Sequence, residues 1–552
     1  MSAVPASASP SPATRAESKQ PLAAGAGRAT LLMIGFVLLS RVLGVVRDIV
    51  LAQLFGQNET TDIYTAAFRV PDMLYLLVAG GALSTVFVPV FAEYWNQGRE
   101  EDAWRTFGSV ITIVGIASAV LVLVMEVAAL PVARLLNPLF SAEAVAQTAA
   151  LSRILLPAQW CFFVGGLMMG TLNARHRFLI PALGPIFYNG CIVAGGLLLH
   201  RQLGIASMTY GAVLGAVLGN FLLPVWEMRR IGARFLFGLD THHPGVIKVG
   251  KLMLPALLGL SLSQLAFWIT GFFLPNNGQL SALRNAYNLT QAPIGIFAQA
   301  SAIVLFPTIS FLAAQKDWVR FRSEISHGIR RILFLTVPAS FLMAALAEPI
   351  IRVVYSGPKF GDDAVRLAAG ALLFYSLGTF AWSAQAVLAR GFYAMQDTKT
   401  PVIITTSMVG VFTLTCLASS TLLQAGHNGL ALATSLIATV NMLIFLVTLQ
   451  KRVGGLEMRA VLSSLARVTA ASAAASVVGY FAARFLGDVL PTGRAGGLGA
   501  LLIAGGIGVA VYAGLCALMR VPELHSVRAM FRRGSRPAPS AAAPTESISP
   551  LD

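Results

Sequence analysis

The chain has 552 residues, of which 56% are hydrophobic and only 12% charged, and its mean hydropathy of +0.72 excludes an ordinary soluble globular protein. Its net charge of +16 would suggest nucleic acid in a soluble protein, but here the basic residues follow the apolar blocks. Those blocks number about fourteen, each long enough to cross a hydrocarbon core of about 30 Å as a helix.

The first 29 residues, rich in Ala, Ser and Pro, read as a disordered cytoplasmic N-terminus. A cleaved signal peptide is not expected, because the first apolar block is a full span with Arg41 and Arg47 inside it. Predicted spans then run over 30–54, 62–95, 107–135, 146–172, 179–199, 205–228, 250–275, 281–313, 332–355, 366–396, 401–423, 429–450, 461–486 and 496–519. The residues from 520 to 552 read as a disordered cytoplasmic tail. Basic residues crowd alternate links, such as Arg229, Arg230 and Arg234 or Lys316, Arg320 and Arg322, whereas 136–145, 276–280 and 424–428 have none. The basic-rich links are therefore expected on the cytoplasmic side, which with an even number of spans places both termini there.

Charge recurs inside the first span. Ser40, Arg41, Gly44, Arg47 and Asp48 share one helical stripe. A charged residue near the bilayer centre costs at least about 2.5–3.5 kcal/mol on insertion scales, so the stripe is expected to face a bundle interior or an aqueous cavity. The second span adds Asp62, Arg69 and Asp72, and its Pro71, Gly80 and Gly81 predict either a broken helix beside a substrate site or hinge or a packing kink. An ion pair of Arg41 with Asp48, and of Arg69 with Asp62 or Asp72, is the plain structural alternative. Further along, Gly211, Gly215 and Gly219 form a ladder for close helix packing.

The eighth span opens with Asn276, Asn277 and Gln279 and carries Arg284, Asn285, Asn288 and Gln291; Arg284, Asn288 and Gln291 fall on one face. Surplus guanidinium charge suits an anionic ligand, since the planar fork of Arg matches phosphate oxygens bidentately. Asn189, Gln264 and Asn441 read as interhelical hydrogen bonds, and His427 as a solvated residue of an outer turn. Asp48, Asp62 or Glu348 offers a site for a coupling cation or has an ordinary ion-pair role. No P-loop, nucleophile elbow or metal-binding spacing occurs, and the four cysteines lie singly inside apolar spans, so neither a metal nor another cofactor is expected.

An internal repeat organises the chain. TLNARHRFLIPA from 171 matches GFYAMQDTKTPV from 391, and Pro89 and Pro307 lie near the ends of corresponding long spans. The fold class is thus an all-α integral membrane protein of about 14 transmembrane helices. Two parallel six-helix repeats, 30–230 and 250–450, are followed by two C-terminal helices over 461–519, and the substrate site is expected between the repeats.

The runs SRVLGVVRDIVLAQLFG from 40 and TDIYTAAFRVPDMLYLLVAGGALSTVFVPVFAEY from 61 resemble the N-terminal signature of the MurJ (MviN) family of lipid II flippases. LNARHRFLIPALGP from 172, PIGIFAQASAIVLFPTIS from 293 and GFYAMQDTKTPV from 391 are similar to it too. The resemblance, over roughly 30–520, implies the fold of the multidrug/oligosaccharidyl-lipid/polysaccharide exporter superfamily, with a cationic cavity between two lobes and a lipid-tail groove at 461–519. It implies transport of undecaprenyl-diphosphate-linked peptidoglycan precursor from the cytoplasmic to the periplasmic leaflet of the bacterial inner membrane, with no nucleic acid as partner. Membrane potential or a coupled cation would drive the cycle. Ser40, Arg41, Arg47 and Asp48 match family cavity residues on the first helix, and Asp62 matches an acidic residue at the start of the second. Where relatives have a second-helix Arg this chain has Tyr75, and the eighth-helix Arg and its neighbouring acid align with Asn288 and Gln291, leaving Arg284 one turn earlier to take the role. An exporter of another lipid-linked saccharide, a drug/cation antiporter and a non-transporting scaffold remain as alternatives.

Overall fold

The computed structural model describes residues 22–78, 82–235, 238–261, 265–491 and 493–524. Among these, the regular elements are helices, with one isolated antiparallel bridge between Gly357 and Phe360. The first repeat contains α1 (Leu22–Phe55), α2 (Glu59–Val78), α3 (Ala82–Asn96), α4 (Glu100–Leu136), α5 (Ala142–Ala174), α6 (Leu179–Leu203), α7 (Ala206–Gly215) and α8 (Leu223–Arg230), with a π-helical stretch, Ala216–Leu222, joining the last two. The second contains α9 (Pro244–Ser261), α10 (Leu265–Gly271), α11 (Gln279–Pro293), a π-helical stretch at Ile294–Gln299, α12 (Ala300–Ala314), α13 (Trp318–Ala345), α14 (Ala347–Tyr355), α15 (Asp362–Ser376), α16 (Thr379–Ala394), α17 (Lys399–Thr421) and α18 (Gly426–Val453). The chain continues through α19 (Met458–Val489) and α20 (Arg494–Leu518).

Nine helices among the described residues are long and apolar enough to cross a membrane, and the pair α15–α16, bent by 40°, makes a tenth. Each other expected span also falls on helix, but there the apolar run is broken. Charges interrupt α1, the π-helical stretch divides α11 from α12, and between α2 and α3 and between α9 and α10 residues 79–81 and 262–264 lie outside the described residues.

The backbone carries the repeat at its turns. Left-handed residues recur in pairs: Gly56 and Gly278, Gly98 and Lys316, His176 and Gln396, Gly204 and Gln424, Gly232 and Gly454. The members of each pair are 218 to 222 positions apart. A left-handed residue ends a helix sharply by letting the chain reverse without a clash, so five inter-helix turns share one geometry across the two halves. Close packing follows the glycine ladder. A Cβ at Gly215 would lie 2.7 Å from the Tyr188 Cα, and one at Gly219 2.7 Å from the Gly184 carbonyl oxygen, so only glycine lets α6 and α7 approach this closely.

Some boundaries move. α1 begins at Leu22, so residues 22–29 are helical rather than part of a disordered end. α13 begins at Trp318, well before 332, because Asp317 caps it by accepting the Arg320 N–H at 3.1 Å. Its first turns carry Arg320, Arg322, Arg330 and Arg331. After α20, Val521 is buried and Glu523 accepts from the Ser464 hydroxyl at 3.0 Å and pairs with Arg330 at 3.5 Å. That network fastens the two last helices to α13, and the Tyr512 hydroxyl adds a 2.7 Å bond to the Phe334 carbonyl.

Apolar packing falls into three main clusters. One lies within the first repeat around Phe87, Phe91 and Phe107; another joins the second repeat to α19 and α20 through Phe334, Val468 and Tyr512. The third is shared between repeats, bringing Ile63 and Ala66 of α2 to Leu280 and Leu283 of α11 and to Tyr355 and Leu372. This joint positions the polar residues described next.

Candidate functional site

Arg47 and Asp48 turn inward from α1. The guanidinium donates to Asp48 Oδ1 through Nε at 3.0 Å and Nη2 at 2.8 Å, and through Nη1 to Asn189 Oδ1 of α6 at 3.1 Å. Asn189 is itself oriented by a 3.0 Å bond from its Nδ2 to the Pro185 carbonyl. The second carboxylate oxygen of Asp48 accepts Asn288 Nδ2 of α11 at 2.9 Å. Asp48 therefore pairs with its sequence neighbour rather than with Arg41, two turns away. The remaining acceptor capacity of the carboxylate links the two repeats.

Arg41 keeps an exposed side chain and makes no ion pair or hydrogen bond among the described residues. Its guanidinium lies against Gly295, in the π-helical stretch after Pro293, where a Cβ would come within 2.8 Å of Nη1. Single-turn π distortions commonly sit at functional sites, and this one leaves room for the arginine head. Ser40 beside it is half-buried. Across the joint, the Arg284 guanidinium rests 5.6 Å from the centroid of the Phe68 ring of α2. Asp72, whose side chain is exposed, lies within electrostatic reach of both Arg284 and Arg47. Asn288 and Gln291 follow Arg284 on the same face of α11, and Gln291 pairs with the Tyr287 hydroxyl.

Asp62 and Arg69 stand apart from this group. Asp62 is fully buried, and its two oxygens accept the backbone N–H groups of Gly278 and Ser281, each at 2.7 Å. It thus caps α11 from the other repeat, satisfying donors that a helix N-terminus leaves without intrahelical partners. Both oxygens are spent there, so in this conformation Asp62 offers nothing to a head group. Gly278 has φ of 89° and abuts the Gln57 carbonyl, which explains why a glycine opens the helix. The seam continues in Asn276 Nδ2 to Glu59 Oε1 at 2.5 Å and the Thr61 hydroxyl to that of Ser281 at 3.2 Å.

Arg69 is also fully buried. It donates to Asn137 Oδ1 at 3.2 Å and packs so tightly on Gly271 that a Cβ there would overlap the guanidinium. Asn137, between α4 and α5, is a hydrogen-bond partner that the sequence did not suggest, and Asp62 lies within electrostatic reach of the guanidinium. Pro71 lies inside a continuous α2, so the span does not break there; Gly80, Gly81 and Gln264, together with the side chain of Tyr75, lie outside the described residues.

His427 is a correction. Far from being solvated, it is 9% exposed, with Nε2 3.0 Å from the Leu367 carbonyl oxygen, because the short turn before α18 tucks it under α15. Glu348 is half of an ordinary ion pair, accepting from Arg352 at 3.0 Å. Asn441 donates to Gln385 at 3.4 Å between α18 and α16. The parts that sequence reasoning missed are Phe68 and Gly295, whereas Asn189 makes the interhelical hydrogen bond expected of it, with Arg47. An aromatic ring and a glycine carry no charge signal, and only the Pro-Ile-Gly run at 293–295 hinted at irregular helix.

Residues 51–491 match the family described as lipid II flippase MurJ. The chain is 30% identical to a lipid II flippase MurJ of Burkholderia cenocepacia over 436 residues, covering 77% of this chain and 84% of that one. It is 32% identical to a probable lipid II flippase MurJ of Haemophilus influenzae, covering 73% and 82%. In fold it is similar to a solved lipid II flippase MurJ in an inward closed conformation, with a TM-score of 0.73 at 23% identity over 89% of this chain and 98% of that one. An inward-facing multidrug resistance MATE family transporter of the MOP superfamily shares the fold at a TM-score of 0.64 and 14% identity, over 75% and 94%.

Proposed function

The chain belongs to the lipid II flippase MurJ family, and on that footing we propose that it carries lipid II from the cytoplasmic to the periplasmic leaflet of the bacterial inner membrane. It is a multi-pass membrane protein and a transporter. The chemistry of the task is physical rather than covalent. A diphosphate with a sugar-peptide head cannot enter hydrocarbon unaided, whereas a prenyl tail never has to leave it.

The observation that carries this reading is Arg41, which has no ion-pair partner among the described residues and lies at the joint between repeats, close to Gly295 of the second repeat. An exposed guanidinium with no acidic partner among the described residues, set at a joint between membrane helices, presents its charge to an anion. Arg41, Arg47 and Arg284 hold the diphosphate; Ser40, Asn288 and Gln291 supply hydrogen bonds to the head group. Asp48 orients Arg47 and keeps Asn288 on the same side of the joint. Alternating access follows from the two repeats rocking about this site, and the seam of Asp62, Gly278 and Ser281 closes the periplasmic side. With basic links inside, both termini are cytoplasmic, and membrane potential or a coupled cation drives the cycle without a cofactor. The exposed faces of α19 and α20 guide the lipid tail.

Complementation tests the reading. A bacterium depleted of its lipid II flippase should grow when this chain is expressed, and should fail with Arg41→Ala at equal membrane abundance. Growth with Arg41→Ala as good as with the unaltered chain would overturn the diphosphate site.

A further inference from the structure

A second cationic site lies away from the joint. A cavity of about 640 Å³ opens between α14 and the hairpin of α19 and α20, near the loop that joins those two helices. Its charged lining consists of Glu348, Arg352, Arg484 and Arg494. Glu348 and Asp362 neutralise Arg352, at 3.0 and 2.6 Å. Arg484 and Arg494 have no acidic partner among the described residues. Arg494 is fixed in place, because its Nη2 donates to the Ser356 carbonyl at 2.7 Å. Arg484 is exposed and free to turn.

The surroundings identify what reaches it. Phe481 and Phe485, on either side of Arg484 along α19, are 62% and 67% exposed, and Leu502 of α20 is 66% exposed. Such faces border lipid tails. Arg484 is five residues before the end of α19 at Val489, about 7–8 Å along the axis, a depth at which an arginine meets headgroups rather than tails. Two uncompensated guanidinium groups at headgroup depth, beside an open lateral face, match phosphate oxygens.

We infer that this cavity binds the phosphate of a membrane-anchored lipid, held between Arg484 and Arg494. The site is separate from the joint between repeats and does not rest on the flippase reading. Phospholipid and prenyl diphosphate both present the required chemistry.

The test uses the full chain in phosphatidylcholine nanodiscs and reads the quenching of Tyr480→Trp after subtraction of that of the parent's seven native tryptophans, since Tyr480 lines the cavity. Brominated phosphatidylglycerol should quench the reporter more strongly than brominated phosphatidylcholine. Arg484→Gln should reduce that preference by about tenfold, the loss expected for one charge-assisted bond to phosphate. Arg484 is exposed and makes no hydrogen bond or ion pair among the described residues, so an unchanged Tm in Arg484→Gln separates lost binding from lost folding, and Arg484→Lys should keep part of the preference. Relief of quenching by a lower mole fraction of undecaprenyl diphosphate than of unlabelled phosphatidylglycerol would name the prenyl lipid as occupant; the reverse would name the phospholipid. Equal quenching by the two brominated lipids, an unchanged preference in Arg484→Gln, or relief by soluble inorganic diphosphate at matching concentration would each overturn the inference.

Discussion

Asn288 and Asp48 are joined by a single hydrogen bond of 2.9 Å, and with it the first helix of one repeat is tied to the eighth span of the other. Asp48 is already held by Arg47, so a second cation at position 288 would compete for the same carboxylate. We expect Arg284→Ala to lower lipid II flipping in proteoliposomes by about tenfold, the loss of one charge-assisted contact. Arg284→Ala with Asn288→Arg should recover most of it, since the new guanidinium lies one turn along the same face. A fully active Arg284→Ala would show that its seat on Phe68 is structural.

The seam at Glu59 and Asn276 predicts a conformational lock. Replacing both by cysteine and bridging them with a short bifunctional thiol reagent should hold the repeats together on this side and stop transport. Reagents that can be cleaved should restore it. Native Cys161, Cys416 and Cys516 are buried and Cys191 is half-buried, so the bridge is made in a Cys191→Ala background. Undiminished flipping in the cross-linked protein would contradict alternating access through this seam.

Loss of the Asp62 cap should loosen the same seam from within. Asp62→Ala leaves the N–H groups of Gly278 and Ser281 without their acceptor, a cost of about 1–3 kcal/mol per buried donor. Hydrogen exchange in the first turn of α11 should rise relative to the unaltered chain, with exchange in α19 unchanged. Equal exchange in both proteins would mean that other groups hold the helix start.

Gly271→Ala should destabilise the whole protein, because its methyl group would overlap the buried Arg69 guanidinium. Overpacking of this kind costs about 1–3 kcal/mol, read as a lower Tm in detergent. Gly250→Ala, where nothing lies within 4 Å, is the matched control and should melt like the parent.

The link between α16 and α17 has a pH-dependent clasp. Burial alone would raise the Asp397 carboxyl, but it accepts the Thr400 hydroxyl at 2.6 Å and the Thr400 and Lys399 N–H groups at 3.0 and 3.1 Å, and pairs with Arg452 at 2.5 Å. These outweigh burial and hold it below the usual carboxylate range. A depressed folded pKa contributes stability above the unfolded value of about 3.9 and loses it as pH falls through the lower folded value. The difference in Tm between the parent and Asp397→Asn should therefore be present at neutral pH and shrink below about pH 4. A difference that does not vary with pH would remove the charge from the explanation.

What the sequence by itself determined is what local physics controls. Apolar run length makes helices that span a bilayer, and the turn chemistry that recurs at His176 and Gln396, or at Gly204 and Gln424, repeats because each turn is specified by a few neighbouring residues. The stripe of Ser40, Arg41, Arg47 and Asp48 was legible for the same reason, since helical periodicity fixes a face without reference to any partner. Tertiary structure alone decided what those faces meet. Asp62 and Arg47 look alike in sequence as charges inside spans, yet one caps a helix that begins more than 200 residues later and the other pairs with its neighbour and with Asn189. Arg69 is lost to the interior because Gly271 leaves room for it, and Arg41 remains open because Gly295 does. Whether a buried charge is spent on the fold or kept for a ligand depends on which acceptors distant helices bring within about 3 Å, and helix packing sets that distance.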